Sequence, residues 1–257
     1  MNAKVRGLQV LIVAVAILAL ALTTINAGAS HAWGNYHWAR TSNPFTIKVV
    51  DSMTSDWDDN LNVAIADWDQ SSVMNVVKEA GDSSLKTRKR CAAISGKVRA
   101  CNAPYGNNGW LGLAQIWASG SHITQGTAKM NDSYLASSSY TETNRQHVIC
   151  QEIGHDWGLT HQDESGADLN TCMDYSNALD NPHPNAHDYA QLETIYSHLD
   201  STTTIARPAP DGFFTAELRS PADWGTKVYE APDGRTALFV LDFGNGYKIF
   251  TFVIWAR

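Results

Sequence analysis

The spacing of apolar positions changes several times along this chain, and each change marks an element. Leu8 to Leu22 is an unbroken apolar run behind Lys4 and Arg6, followed by the small residues Ala27-Gly28-Ala29. That order is the layout of a signal peptide over residues 1–29. Phe45 to Val50 alternates and is β-branched, which predicts a strand. Trp57, Leu61, Ala64, Ile65 and Trp68 then recur at helical spacing, a core-facing stripe. Ser55 and Asp58 offer that helix an N-terminal cap. Met74 to Val77, Trp110 to Ala118 and Ile123 to Met130 read as further strands, the last interrupted by Gly126. Ser83 to Asn102 reads as a basic, solvated loop.

A second helix is predicted over about Asn144 to Trp157, with Thr143 and Gln146 as its capping box. Gly158 supplies the left-handed residue that stops it. A third helix is expected from about Ala186 to Leu199, with Tyr189, Leu192, Ile195, Tyr196 and Leu199 facing inward and Pro182 and Pro184 ahead of it. Arg207-Pro208-Ala209-Pro210 reads as a linker. Beyond it the pattern is wholly β. Ala237 to Phe243 and Tyr247 to Trp255 flank Gly244-Asn245-Gly246, a hairpin signal, and Phe213 to Leu218 and Lys227 to Glu230 are candidate strands. Strand, helix, several strands and then helices is an α+β order. The expected organisation is a leader over 1–29, a main domain over 30–206 and a β-rich extension over 207–257.

A 44% hydrophobic content allows a sizeable core. The net charge is −7, becoming −9 once Lys4 and Arg6 leave with the leader. That balance argues against nucleic acid or anionic lipid as a partner. The chain is read as a secreted monomer with no membrane partner after leader removal. Four cysteines in an exported protein suggest disulfides. Three pairings exist; Cys91–Cys101 and Cys150–Cys172 are favoured, the first because it closes a short loop.

The chemistry concentrates at Gln151-Glu152-Ile153-Gly154-His155-Asp156-Trp157-Gly158-Leu159-Thr160-His161. In an H-E-x-x-H helix two His four apart share a face and bind zinc, and the Glu between them is the general base. Here Glu152, His155, Gly158 and His161 keep the register of the longer signature, and Gln151 stands where the first His would be. With Met173 in Cys172-Met173-Asp174-Tyr175, the stretch resembles the metzincin metallopeptidases, and the short spacing to the Met resembles their matrixin-like branch. The resemblance covers about Phe45 to Leu199 in element order, and its motifs lie within residues 147–175.

The resemblance implies a metzincin-like twisted mixed sheet with an active-site helix and a C-terminal helix. His155 and His161 would be zinc ligands, Glu152 the general base and Met173 the apolar floor beneath the metal. Tyr175 would ligate zinc or stabilise the tetrahedral intermediate. The Trp110–Trp117 strand would be the sheet edge to which an extended peptide or protein substrate pairs. The Cys150–Cys172 bond would tie the active helix to the turn beneath the metal.

Gln151 leaves three readings open. It ligates zinc as a weaker, neutral donor; His147 or Asp163 replaces it, although His147 lies about 6 Å further along the helix axis; or zinc is lost. The corresponding functions are a secreted zinc endopeptidase, or a catalytically inactive secreted binding module that keeps the fold. Asp163, Glu164 and Asp168 offer the oxygens that calcium takes, a secondary candidate site. Their spacing is not that of an EF-hand, and a solvated acidic loop is the simpler reading.

Overall fold

A computed structural model describes residues 31–162, 166–174, 178–203 and 210–256. The leader, Asp163, Glu164, Tyr175 and all but Pro210 of the 207–210 linker lie outside them. Among the described residues no helix is long and apolar enough to cross a membrane.

The fold is mixed α and β, built on one large sheet with few helices. The strands are β1 (His37–Trp38), β2 (Phe45–Ser52), β3 (Met74–Ala80), β4 (Val98–Ala103), β5 (Trp110–Ser119), β6 (His122–Asn131), β7 (Thr226–Glu230), β8 (Thr236–Gly244) and β9 (Tyr247–Trp255). The helices are α1 (Asp58–Trp68), α2 (Leu85–Arg90), α3 (Asp132–Leu135), α4 (Glu142–Asp156) and α5 (Ala186–Ile195). The sheet order is β3-β2-β4-β6-β5-β9-β8-β7, with β1 pairing the start of β6. From β3 to β6 the pairing is parallel, and from β6 to β7 it is antiparallel.

Side chains alternate between two faces, as the period of a strand requires. Ala114, Ile116, Phe250, Phe252 and Ile254 enter one core with Trp57, Leu61 and Trp68 of the α1 side and Ile153 of α4. Leu113, Trp117, Ile249 and Val253 enter a second core, closed by Phe213, Leu218 and Trp224. Each core buries several large aromatics, and each such side chain contributes about 1.5–3 kcal/mol relative to exposure.

Several sequence expectations need correction. The 83–102 stretch is not all loop: α2 and β4 lie in it. A serine cap at Ser84 and a left-handed Cys91 delimit α2, signals that the basic character of the stretch obscured. The cap of α4 is Thr141 with Asn144, not Thr143 with Gln146. Thr141 accepts from the Asn144 amide, the Asn144 side chain accepts from the Thr141 amide, and Gln146 instead meets Asn60. Ser55 begins a short 3-10 turn whose N-cap makes no side-chain bond, and α1 follows from Asp58. The third helix ends at Ile195, and Leu199 is exposed rather than inward. Residues 213–218 form no strand; Phe213 is nonetheless buried in the second core.

The largest correction concerns β5. It is not an edge. β9 pairs with it from Ser119↔Tyr247 to Trp110↔Trp255, so the C-terminal strands continue the main sheet. The hairpin turn and the alternation of β9 were legible locally. Where the hairpin would dock was not, because every strand of this sheet presents the same backbone donors and acceptors.

Both favoured disulfides form, Cys91–Cys101 and Cys150–Cys172. The second joins residues 22 apart. Cys150→Ala/Cys172→Ala is expected to lose about 3 kcal/mol of stability, the loop-closure entropy for a ring of that size. Guanidinium unfolding of the double variant against the parent checks it; an unchanged midpoint would count against a closed ring.

Candidate active site

Helix α4 carries two rows of functional side chains. His147, Gln151 and His155 recur every four residues and so share one face; Glu152 and Asp156 share the next. Both rows are buried, with Glu152 and Asp156 fully inaccessible. The second row lies against the sheet where two glycines make room. A Cβ on Gly112 of β5 would strike Glu152, and one on Gly126 of β6 would strike Asp156.

After α4 the backbone turns at Gly158, whose φ is +97°, and a Cβ there would strike the Tyr36 carbonyl. The N-terminal segment pins the chain that follows. The Trp33 amide donates to Gly158 O, the Thr160 amide to His31 O at 2.5 Å, and His31 Nδ1 to Thr160 O at 3.0 Å. That clamp holds His161 back against the helix, where it meets Gln151. The His155 and His161 rings stand 4.8 Å apart and perpendicular. His155 Nδ1 donates to Leu159 O at 2.9 Å, which leaves Nε2 with its lone pair.

Gln151 sits between two imidazoles. His147 Nε2 donates to Gln151 Oε1 at 3.1 Å, and the Gln151 amide nitrogen donates to His161 Nε2. Met173 lies beneath the helix, where a Cβ on Gly154 would strike its sulfur. The Gln162 amide donates to Met173 O at 2.7 Å and ties the His161 loop to that turn.

Burial sets the charge states. It lowers His147 and His155 to about 4 and holds His161 well below the ordinary imidazole range, the last also through His155 and His147. The imidazoles are therefore neutral at pH 7, the form that ligates metal. Burial raises Glu152 well above the ordinary carboxylate range, and neighbouring Asp156 raises it further. Neither Glu152 oxygen has a hydrogen-bond partner, although the Ala114 amide approaches.

The donor set suits a zinc ion in part. Imidazole is an ordinary zinc donor, which His155 and His161 both offer, and a backbone carbonyl such as the one on His155 Nδ1 is a usual outer partner of a ligating ring. A Gln151 oxygen would be the third donor after the side-chain amide turns over. Tyr175, Asp163 and Glu164 lie outside the described residues. Asp168 is exposed and accepts from Asn181 and from the Asn170 amide.

Two features escaped the sequence reading. Phe252 of β9 stacks on His155, with centroids 4.1 Å apart and planes 11° from parallel. On the opposite face of the sheet a cavity of about 800 Å³ is lined by Trp110, Trp117, Arg90 and Lys129 among others. Lys129 is lowered to about 8 by burial and donates to Gln115 at 2.6 Å. A lone Lys in a strand pattern gives no sign of either. No family model matches the chain, and no curated protein matches it.

Proposed function

We propose that this chain is a secreted zinc-dependent endopeptidase of the metzincin type, held closed by its own C-terminal hairpin. The observation that carries the reading is the meeting of His155, His161 and Gln151 at one point, with Glu152 on the same helix and Met173 beneath it. Zinc at that point would lower the pKa of a bound water and polarise a scissile carbonyl. Glu152 would take the proton of that water and pass it to the leaving amine. His155 and His161 would hold the metal, and Gly112 would give the Glu152 carboxyl room beside the strand. An extended peptide would pair with β5, and β9 occupies that edge in the state described. Glu152 is fully buried there, so catalysis would require β9 to leave and admit water.

A second reading rests on the Gln151 side chain. Its amide satisfies His147 and His161 without a cation, which suits an inactive secreted binding module.

Equilibrium dialysis against zinc separates the two. The parent chain is expected to hold one zinc more than His155→Ala/His161→Ala. Gln151→His is expected to bind that zinc tenfold or more tightly, about 1.4 kcal/mol per factor of ten, because imidazole replaces a carboxamide donor. Equal zinc in the parent and the double variant would sink the peptidase reading and favour the binding module.

A further inference from the structure

Away from α4, four side chains converge from three separate segments. His37 comes from β1, His122 from the first position of β6, and His198 and Asp200 from the chain after α5. Asp200 Oδ1 lies 3.2 Å from His122 Nε2, 3.4 Å from His37 Nε2 and 3.8 Å from His198 Nε2. His198 Nε2 lies 3.2 Å from His37 Nε2. The ligand atoms of His37, His122 and Asp200 all fall within 4.8 Å of one another.

We propose that His37, His122, His198 and Asp200 form a structural site for a divalent transition-metal ion, zinc foremost. This site is separate from the one on α4 and does not rest on the peptidase reading.

The distances carry the argument first. Zinc binds His nitrogen and Asp oxygen at about 2.0–2.1 Å in a tetrahedron, whose edges are then about 3.3 Å. Three of the four separations above match that edge. The 3.8 Å separation involves His198, which lies outside the trio whose ligand atoms fall within 4.8 Å of one another; its side chain is 43% exposed, and it would join the set by a side-chain turn.

Hydrogen-bond chemistry carries it second. His37 Nδ1 donates to the Asn35 carbonyl at 2.8 Å, so the Nε2 of the neutral ring bears a lone pair. That lone pair faces a carboxylate oxygen and a second ring nitrogen. Asp200 Oδ2 is already taken, by the Arg40 amide at 3.1 Å and the Arg40 guanidinium at 3.0 Å. Arg40 thus turns Oδ1 toward the three rings. Protons could separate these atoms one contact at a time; a single cation serves all four. A carbonyl on the far nitrogen of His37 and an arginine behind the carboxylate are the outer partners that orient metal ligands.

With His198 turned in, four protein ligands would close the coordination sphere, the arrangement of a structural rather than a catalytic site. Its role follows from position. β1 pairs with β6 through two residue pairs, His37↔His122 and Trp38↔Ile123. A metal there would staple β1 to β6 and to the end of α5. It would thereby fix the segment whose His31 and Trp33 clamp the chain after Gly158.

The test uses the chain from residue 30 onward, stripped with chelator and titrated with zinc or with cobalt as a spectroscopic probe. His155→Ala/His161→Ala removes the α4 site from the count. In that background one metal per chain is expected, with the strong visible absorption of four-coordinate cobalt and a raised melting temperature. His122→Ala and His198→Ala, each at a partly exposed ring, are expected to weaken this metal by more than the 10–100-fold that loss of an outer partner costs. Their metal-free melting temperatures should stay near that of the metal-free parent. The proposal is overturned if the background variant binds no metal, or if neither His122→Ala nor His198→Ala changes its affinity. Neither result bears on the α4 site.

Discussion

Phe252→Ala is expected to raise peptide hydrolysis by the full-length chain and to lower its stability by about 3–5 kcal/mol, the usual cost of truncating a buried Phe. Both effects have one cause. Phe252 lies opposite Ala114 in the β5–β9 ladder, points to the α4 face of the sheet and stacks on His155. Truncation leaves a cavity against a candidate zinc ligand and weakens β9, the strand proposed to cover the substrate-pairing side of β5. Val253→Ala is the matched control. It faces the second core, so it should cost stability without uncovering His155. The checks are urea unfolding and hydrolysis of an unstructured peptide at saturating zinc. If Phe252→Ala and Val253→Ala lose stability and neither gains activity, the hairpin is a fixed part of the sheet and not a cover.

Glu152→Gln is expected to abolish hydrolysis while keeping zinc. The loss should be at least 10²–10⁴-fold, the contribution of a positioned general base, measured in the Phe252→Ala background where the site is open. The same substitution carries a stability signature in the closed state. Burial raises the Glu152 pKa in the folded chain above its unfolded value. Such a group opposes folding wherever the unfolded carboxyl is ionised, above about pH 4.3, and has no effect below it. Gln cannot ionise. The melting temperature of Glu152→Gln should therefore exceed that of the parent at pH 8, and the two should converge near pH 4. A constant difference across that range would show that Glu152 is solvated or paired in solution.

Much of the local structure was written in the sequence. The Trp57–Trp68 stripe, the alternation of Phe45–Val50 and the hairpin about Asn245 depend on neighbours a few residues apart. Their spacing alone specifies which face is buried. The motif on α4 was legible for the same reason: Gln151, Glu152 and His155 share a helix, and Gly158 sets the turn that returns His161. The sequence signal for the α4 cap is ambiguous over two residues, since Thr141, Thr143 and Asn144 all carry capping side chains and only the completed box selects Thr141. Periodicity puts Leu199 in the core, but α5 stops at Ile195 and the chain turns away to deliver His198 and Asp200.

Short-range spacing was enough to give α1, α4, α5 and most of the strands, to place Gln151 and His155 on one helix face, and to favour the two cysteine pairs that form. What only the tertiary structure decided is which strand covers β5, that Phe252 lies on His155, and that His37, His122, His198 and Asp200 meet. Apart from neighbouring His198 and Asp200, those contacts join residues from 78 (His122 to Asp200) to 163 (His37 to Asp200) positions apart. Their partners are chosen by how whole faces of sheet and helix pack, a choice that no local pattern encodes.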